Sequence, residues 1–372
     1  MNAFEQTAVL IPAYQPDDRL PTYVKALHEE GVGLIVVVND GSSEDCAKLF
    51  EEINKIEKTH VIQYAPNKGK GAALRTGLEW IKNHTNENDI HIIVTADADG
   101  QHKVPDVLRV AECVQQDRSA VWLGSRNFSE ANVPARSRFG NRFTSGIFKL
   151  LYGKWIPDTQ TGLRGFDRQY LPMMCEIDGD RYEYEMKVLI DCSRRKIQMK
   201  PVTIETVYEN NNEGSHFNPL RDSIRIYRVI LGQFIKFATS SILCFFIDYG
   251  FFLLFNFLLE KYFPQMDHVV RILFLSFMLR ITLATASARI ISSTVNYLLN
   301  RNVVFKTKNS RGSFFRFCCV VILNLLLSAG LTSTFHMLFN FHEQIIKLPV
   351  DLLLFLLSYT LQQRWVFNKK KG

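Results

Sequence analysis

The chain has 372 residues, 44 Lys and Arg against 37 Asp and Glu, and 47% hydrophobic residues. That length allows two domains, and a net charge of +7, with its basic residues beside apolar segments, argues against nucleic acid as a partner. The seven cysteines, at 46, 113, 175, 192, 244, 318 and 319, show no C-x-x-C spacing and exclude a disulfide framework or a zinc site. The first residues lead directly into a strand, so no signal peptide is expected. Up to about Tyr208 charged and apolar residues mix as in a soluble α/β domain; from Gln233 onward Phe, Leu, Ile and Ser dominate.

In chain order, Val9-Leu-Ile-Pro12-Ala13-Tyr14 reads as a strand running into a loop. Leu34–Val38 is a second strand, ending in the turn Asn39-Asp40-Gly41-Ser42-Ser43. Val61–Tyr64 is a third; it leads to Asn67-Lys68-Gly69-Lys70-Gly71 and a helix from Ala72 to Asn83. The apolar run Ile90–Val94 is a fourth, followed by Thr95-Ala-Asp97-Ala-Asp99-Gly-Gln101-His102, and Ala120–Gly124 is a fifth. Strands alternating with helices imply a parallel sheet. Every polar candidate then follows the carboxyl end of its strand, where open α/β sheets bind ligands.

Each of these groups has a chemical use and a plainer alternative. Asp97 and Asp99 with Gln101 offer hard oxygens suited to Mg²⁺ or Mn²⁺ shared with substrate phosphates, although paired carboxylates are also common in solvated turns. Asp40 is either a hydrogen-bond acceptor for a base or ribose, or a turn and helix cap. Lys68 and Lys70 with Gly69 and Gly71 suit a phosphate near a helix N-terminus. This loop lacks the Walker A core, since Ala72 and Ala73 follow Lys70-Gly71. Arg126 can clamp a phosphate bidentately, and Arg136, Arg138 and Arg142 add further anion sites.

Past the soluble half, Pro219–Leu231 has helical periodicity. Leu220, Ile224, Tyr227 and Leu231 share one face, and Arg221, Arg225 and Arg228 share another. The pattern suits a helix in the headgroup layer, with a solvated linker helix as the alternative. Four apolar segments, at about 234–259, 273–299, 314–338 and 345–366, are long enough to span hydrocarbon. Basic residues 301–311 and 369–371 place both termini in the cytoplasm by the positive-inside rule. The spans read as a duplicated hairpin: Phe234-Ile-Lys-Phe237 answers Phe314-Phe-Arg-Phe317, and Asn296–Phe305 answers Ser358–Phe367. Asp248, Arg280, Arg289 and Asp351 lie inside the spans, as packing ion pairs or as a lipid-phosphate site.

The motifs V-L-I-P-A-Y, V-N-D-G-S, N-K-G-K-G-A-A-L-R-T-G, T-A-D-A-D-G-Q-H, L-G-S-R and D-T-Q-T-G-L-R-G-F follow one another from about Thr7 to Val229. Together they resemble the family 2 glycosyltransferases of the GT-A fold, and within them the polyprenyl-phosphate branch that includes dolichyl-phosphate mannose synthase. The remainder is similar to GtrA-like four-helix membrane domains, through Phe234-Ile-Lys-Phe, Ile247-Asp248-Tyr, Ala288-Arg289-Ile-Ile-Ser, Asn300-Arg301, Val350-Asp351 and Ser358-Tyr. The resemblance implies a Rossmann-like, mostly parallel α/β domain over 1–215, an interfacial helix over 216–232 and an all-α four-helix transmembrane domain over 233–372. Pro12, Ala13, Tyr14, Asp40, Lys68, Lys70 and Asp97 would bind the nucleotide sugar, and Asp99 and Gln101 the divalent metal, Mn²⁺ or Mg²⁺. Arg126, Arg138 and Arg164 would bind the acceptor phosphate, with Asp158 beside them. Asp97, Asp99, Arg126 and Asp158 would be the catalytic set. Glu183 and Glu185 resemble a helix motif of this branch, structural or near the metal.

The activity this implies is metal-dependent, inverting transfer of a hexose, from a UDP-linked donor, to polyprenyl phosphate, with undecaprenyl phosphate as the carrier. The partners are then a nucleotide sugar, a polyprenyl phosphate lipid and the membrane, here a bacterial plasma membrane crossed several times, and a homo-oligomer is compatible with the sequence. Two other readings stand beside it. The membrane half could flip the lipid-linked sugar. Gln362-Gln-Arg364-Trp365 also resembles the Q-x-x-R-W motif of processive polysaccharide synthases, but it closes the last span, with no catalytic domain around it.

Overall fold

The computed structural model describes residues 4–128, 133, 135–205, 221–272, 275–307, 312–339 and 343–367. The chain divides into two compact units, Met1–Ile230 and Leu231–Gly372.

The first unit opens with β1 (Thr7–Ala13), α1 (Arg19–Glu29), β2 (Leu34–Asp40), α2 (Ala47–Ile53), β3 (Thr59–Tyr64), α3 (Lys70–His84) and β4 (Ile92–Thr95). It continues through α4 (Val104–Gln116), β5 (Ala120–Arg126), α5 (Ala135–Tyr152), β6 (Arg164–Asp167), α6 (Leu171–Glu176), α7 (Glu183–Arg194) and β7 (Gln198–Ile204). The seven strands form one sheet in the order β3-β2-β1-β4-β6-β5-β7. β1 and β4 are buried along their whole length, as expected of strands covered on both faces. On one face Val9, Ile11, Val37 and Val94 pack with Leu20, Val24 and Leu27 of α1 and Val107, Val110 and Val114 of α4.

All five expected strands are present. Two others carry no legible period. β6 is four residues long, Arg-Gly-Phe-Asp, and runs antiparallel between β4 and β5. β7 pairs parallel with β5 at the sheet edge, where Pro201 deprives the ladder of one donor without harm. The sheet is therefore mixed, with β6 as its one reversed strand among the described residues. The connections turn away from β1 in opposite directions, toward β2 on one side and β4 on the other. This switch point leaves a crevice outside the strand ends.

Helix α8 runs from Arg221 to Tyr262, so residues 221–232 form its first turns, and 216–220 lie outside the described residues. Within the first unit, Tyr227 Oη lies 3.0 Å from Thr144 Oγ1, and Tyr152 Oη donates to the Ile230 carbonyl at 2.9 Å. These bonds seat the first turns of α8 against α5.

The second unit contains the rest of α8, an antiparallel hairpin of β8 (Val269–Ile272) and β9 (Leu275–Met278), then α9 (Leu279–Leu299), α10 (Ser313–Phe339) and α11 (Glu343–Leu361). The span expected from 273 thus begins as a helix only at Leu279. Apolarity alone does not separate a strand from a helix in a short run. At 21 residues, α9 is about 31 Å long at 1.5 Å per residue, close to the thickness of a hydrocarbon core. Among the described residues, α8 is the one helix whose length and composition alone qualify it to cross a membrane.

Reciprocal contacts tie the two hairpins together. Tyr297 of the first packs on Phe314 and Phe317 of the second, at 5.1 and 5.5 Å between ring centres. Tyr359 of the second packs on Phe234 and Phe237 of the first, at 5.2 and 5.3 Å. Each hairpin closes in a π-helical turn, Asn300–Val304 and Gln362–Val366. There Asn300 Nδ2 donates to Gln362 Oε1 at 3.0 Å, and Phe305 stacks on Phe367. The charged residues expected inside the spans are partnered: Arg289 with Asp248 at 3.2 Å, Arg280 with Glu260 at 2.9 Å, and Asp351 with the Ser328 hydroxyl. Gln362 is buried and its amide also donates to Ser358, so the Q-Q-R-W segment belongs to this packing.

Candidate active site

At the switch point, a cavity of about 190 Å³ opens past the ends of β4 and β5. Lys70, Asp97, Asp99, Gln101, His102, Arg126, Tyr182 and Glu185 are among its lining. A wider depression of about 590 Å³ between Arg75, Glu79 and Asp178 holds none of the strand-end groups. Both of its basic residues are engaged in pairs, Arg75 with Asp180 and Lys187 with Asp178.

Asp97 is the hub of the cavity. Its Oδ1 lies 2.6 Å from Lys70 Nζ and its Oδ2 lies 3.3 Å from His102 Nε2. Lys70 Nζ also reaches Glu185 Oε1, at 3.2 Å. Gly162 presses on the same carboxylate: a Cβ there would stand 2.4 Å from both Asp97 oxygens. The loop carrying Gly162 is itself fixed. Thr95 Oγ1 donates to the Gly162 carbonyl at 2.7 Å, and Asn141 of α5 accepts from the Thr159 amide at 3.0 Å.

The electrostatics divide the two aspartates. Burial alone would raise the Asp97 pKa, but the Lys70 ammonium and the His102 hydrogen bond outweigh it and hold the carboxyl below its ordinary range. Burial likewise works against the charge on Lys70, yet Asp97 and Glu185 raise its pKa. Asp99 moves the other way. Burial and then the neighbouring Asp97 charge push its pKa up, and the Gln101 amide only partly offsets them. Asp99 Oδ1 accepts that amide at 3.0 Å.

Arg126 closes the far side. Its Nε and Nη2 meet Asp158 Oδ2 and Oδ1 at 2.7 and 3.1 Å, a fork against a carboxylate with no exposed surface. Asp158 thus orients Arg126 and does not itself line the cavity.

The other expected residues lie outside this lining. Pro12 and Ala13 end β1, beside Val38 and Asn39 of β2, and Tyr14 follows, partly exposed. Asp40 is buried and turned into the chain. Its carboxylate accepts from the Lys68 and Gly69 amides at 2.8 and 2.7 Å and from Asn67 Nδ2 at 2.9 Å. It thereby shapes the loop that Gly69 turns at φ +105°, the entry to α3 and so to Lys70. Lys68 Nζ stands 4.6 Å over the Tyr64 ring. Arg138 is exposed on α5. Arg164 is buried, bonded to the carbonyls of Thr161 at 3.1 Å and Glu185 at 2.7 Å, and braces the loop and α7 from behind. Sequence reasoning passed over His102 and Gly162, although both stand within quoted motifs. It left Glu185 undecided.

A mixed sheet with one reversed strand, and an acidic loop after β4 at the switch point, define a GT-A-like α/β domain followed by a helical unit. The model of glycosyl transferase family 2 matches residues 8–172, and that of the GtrA/DPMS transmembrane domain matches 236–367. The UDP-N-acetylglucosamine–dolichyl-phosphate N-acetylglucosaminyltransferase of Methanococcus voltae is 30% identical over 240 residues, 60% of this chain and 94% of that protein. Human dolichyl-phosphate beta-glucosyltransferase is 25% identical, over 64% of this chain and 77% of its own. The undecaprenyl-phosphate 4-deoxy-4-formamido-L-arabinose transferase of Proteus mirabilis is 24% identical, over 56% and 64%. Among solved structures, glucosyl-3-phosphoglycerate synthase from Mycobacterium tuberculosis aligns with a TM-score of 0.47 at 14% identity, over 61% of this chain and 79% of that one. The chain belongs to glycosyl transferase family 2 and carries a transmembrane domain of the GtrA/DPMS kind. It is a membrane-bound glycosyltransferase.

Proposed function

We propose that the protein transfers a hexose from a nucleotide diphosphate sugar, UDP-linked, to the phosphate of a polyprenyl carrier such as undecaprenyl phosphate, inverting the anomeric centre. The observation that carries this reading is the meeting of Asp97, Asp99, Lys70 and Arg126 around one cavity at the sheet's switch point. The relatives named for dolichyl or undecaprenyl phosphate support the acceptor.

A divalent cation, Mn²⁺ or Mg²⁺, fits the donor set. Among the described residues Asp99 has a hydrogen bond on one oxygen alone, and two carboxylates stand together with raised cost for the second charge. Among the described residues no three His, Cys, Asp or Glu side chains converge on one point. Asp99 and Gln101 would therefore share the ion with donor phosphates and water, the usual habit of Mg²⁺. The ion would supply charge neutralisation at the departing diphosphate.

The chain's own groups do the rest. Lys70, at the N-terminus of α3, binds the donor diphosphate, and Asp97 orients the sugar. Arg126, held by Asp158, receives the acceptor phosphate. A phosphate oxygen forms the bond to the anomeric carbon as the bond to the diphosphate breaks on the opposite face, and nucleoside diphosphate leaves. A phosphate monoester is already anionic at neutral pH, so no general base is needed.

The surface of the first unit supports a position at the bilayer. Phe139 and Phe143 on α5 are 73% and 51% exposed, and Ile224 is 53% exposed. Arg138, Arg142, Arg221 and Arg225 are exposed near them in the chain. Such a surface suits the headgroup layer of a bacterial plasma membrane, with a multi-pass C-terminal unit and both termini cytoplasmic.

The test is incorporation of radiolabel into the organic phase from a panel of nucleotide sugars, with detergent-purified protein, Mn²⁺ and undecaprenyl phosphate. Label from one donor, lost with EDTA, is expected. No lipid-linked label from any donor, or label only in polymer, would overturn the reading.

A further inference from the structure

Three carboxylates line the cavity with one ammonium shared among them: Asp97, Asp99 and Glu185. The other charges there are neutralised in pairs, Arg126 by Asp158 and Glu205 by Lys103. Among the described residues Lys70 is the lysine or arginine that faces the three, beside the His102 imidazole on Asp97, and its ammonium is held from two sides, 2.6 Å from Asp97 and 3.2 Å from Glu185. Its side chain is 19% exposed, so solvent screens this attraction weakly. Among the described residues this leaves three carboxylates to one ammonium, a surplus of about two negative charges that matches one dication, with the ammonium already seated against Asp97.

We infer that Lys70 is the resident counter-ion of the donor-free site and that Glu185 is a positioning residue that anchors it there. A dication arriving alone meets the repulsion of this ammonium. A donor diphosphate draws the ammonium off Asp97 toward itself, while Glu185 holds it at the side of α7, so the repulsion falls as the metal enters. Metal and nucleotide therefore bind interdependently, and the coupling resides in Lys70 and Glu185. This rests on the metal-dependent reading above and adds the residues that gate it.

The test is Mn²⁺ binding to the detergent-purified full chain, followed by the paramagnetic resonance of free Mn²⁺, with and without UDP. In the unsubstituted protein UDP should tighten Mn²⁺ binding by about tenfold or more. Lys70→Met should bind Mn²⁺ alone about tenfold more tightly, because a like charge within a few ångströms is removed, and should lose most of the UDP effect. Lys70→Arg, which keeps the charge, should restore weak binding. Glu185→Gln should weaken Mn²⁺ binding severalfold, since it removes a negative charge and leaves the ammonium wholly on Asp97. These opposite signs do not arise from general damage to the site, and the unfolding midpoint of each variant shows that it is folded. If Lys70→Met does not fold, Lys70→Arg and Glu185→Gln decide the matter by the same signs. Lys70→Met binding Mn²⁺ no more tightly, or Glu185→Gln binding it more tightly, overturns the inference alone. An unsubstituted protein that binds no Mn²⁺ even with UDP overturns the metal reading and this inference together.

Discussion

Lys70 Nζ and Asp97 Oδ1 stand 2.6 Å apart, joining the N-terminus of α3 to the loop after β4. They are twenty-seven positions apart in the chain, and the parallel pairing of β1 to β4 brings them together because both follow strand ends on the same edge.

The two aspartates of the loop should affect stability in opposite directions. Asp97 has a depressed pKa in the folded state, so it contributes stability above the unfolded pKa, lost as pH falls through the folded one. Asp97→Asn should cost about 2 kcal/mol, leaving Lys70 with Glu185 alone. Asp99 has a raised pKa, so its charged form opposes folding at neutral pH. Asp99→Asn should raise the unfolding midpoint while removing nearly all transfer. Denaturant melts at pH 7 beside activity assays check both signs, and near-normal turnover by Asp99→Asn would sink the metal assignment.

Acid inactivation should track Asp99. Because its pKa lies above the ordinary aspartate range and that of Asp97 lies below, Asp99 takes up a proton first as pH falls. The acid limb of the rate profile should therefore sit above that range and move to lower pH as Mn²⁺ is raised, since the ion competes with the proton. A limb unmoved by Mn²⁺ would assign it to another group.

Gly162→Ala should be severe for so small a change. The new methyl group would meet both Asp97 oxygens at 2.4 Å, and Lys70 and His102 hold that carboxylate in place. An overpacking cost of about 1–3 kcal/mol is expected, with turnover reduced by about a hundredfold from misplaced charge. Measuring kcat at saturating donor separates this from weaker binding.

Asp158→Asn, behind the cavity wall, should be the most destabilising of these substitutions. It leaves the Arg126 guanidinium without its forked partner beside a position closed to water. Breaking one partner of a buried pair costs about 3–5 kcal/mol. A shift in unfolding midpoint of less than about 1 °C would show that Arg126 does not depend on this pair.

In the membrane unit, Asn300→Leu and Gln362→Leu should be non-additive. The two amides bond to each other at 3.0 Å in a buried setting. A double-mutant cycle should return a coupling of about 0.6–1.7 kcal/mol, the range for such bonds within membranes. Additive effects would remove this bond as a tie between the hairpins.

Short apolar runs between turn residues were enough to read the five strands of the alternating βα region, most plainly β1 and β4, which are buried along their whole length. That Asp97, Asp99, Gln101, Lys70 and Arg126 would gather at one edge of the sheet was legible by the same logic, each following its strand or loop. β6 was not legible, since four residues containing an arginine and an aspartate carry no period. The hairpin before α9 was hidden because its residues are as apolar as those of a span.

The sequence by itself determined the α/β-then-helical order, the edge on which the polar loops gather and the duplication of the hairpins, since these depend on local pattern along the chain. Only the tertiary structure decided which side chains share charge. Asp40 looked like a ligand contact and is spent on the amides of its neighbouring loop. Arg164 looked like a phosphate site and braces the backbone of α7. Glu185 had no assigned partner and meets Lys70 across the cavity. Pairing depends on distances of a few ångströms between residues far apart in the chain, and no sequence spacing encodes those.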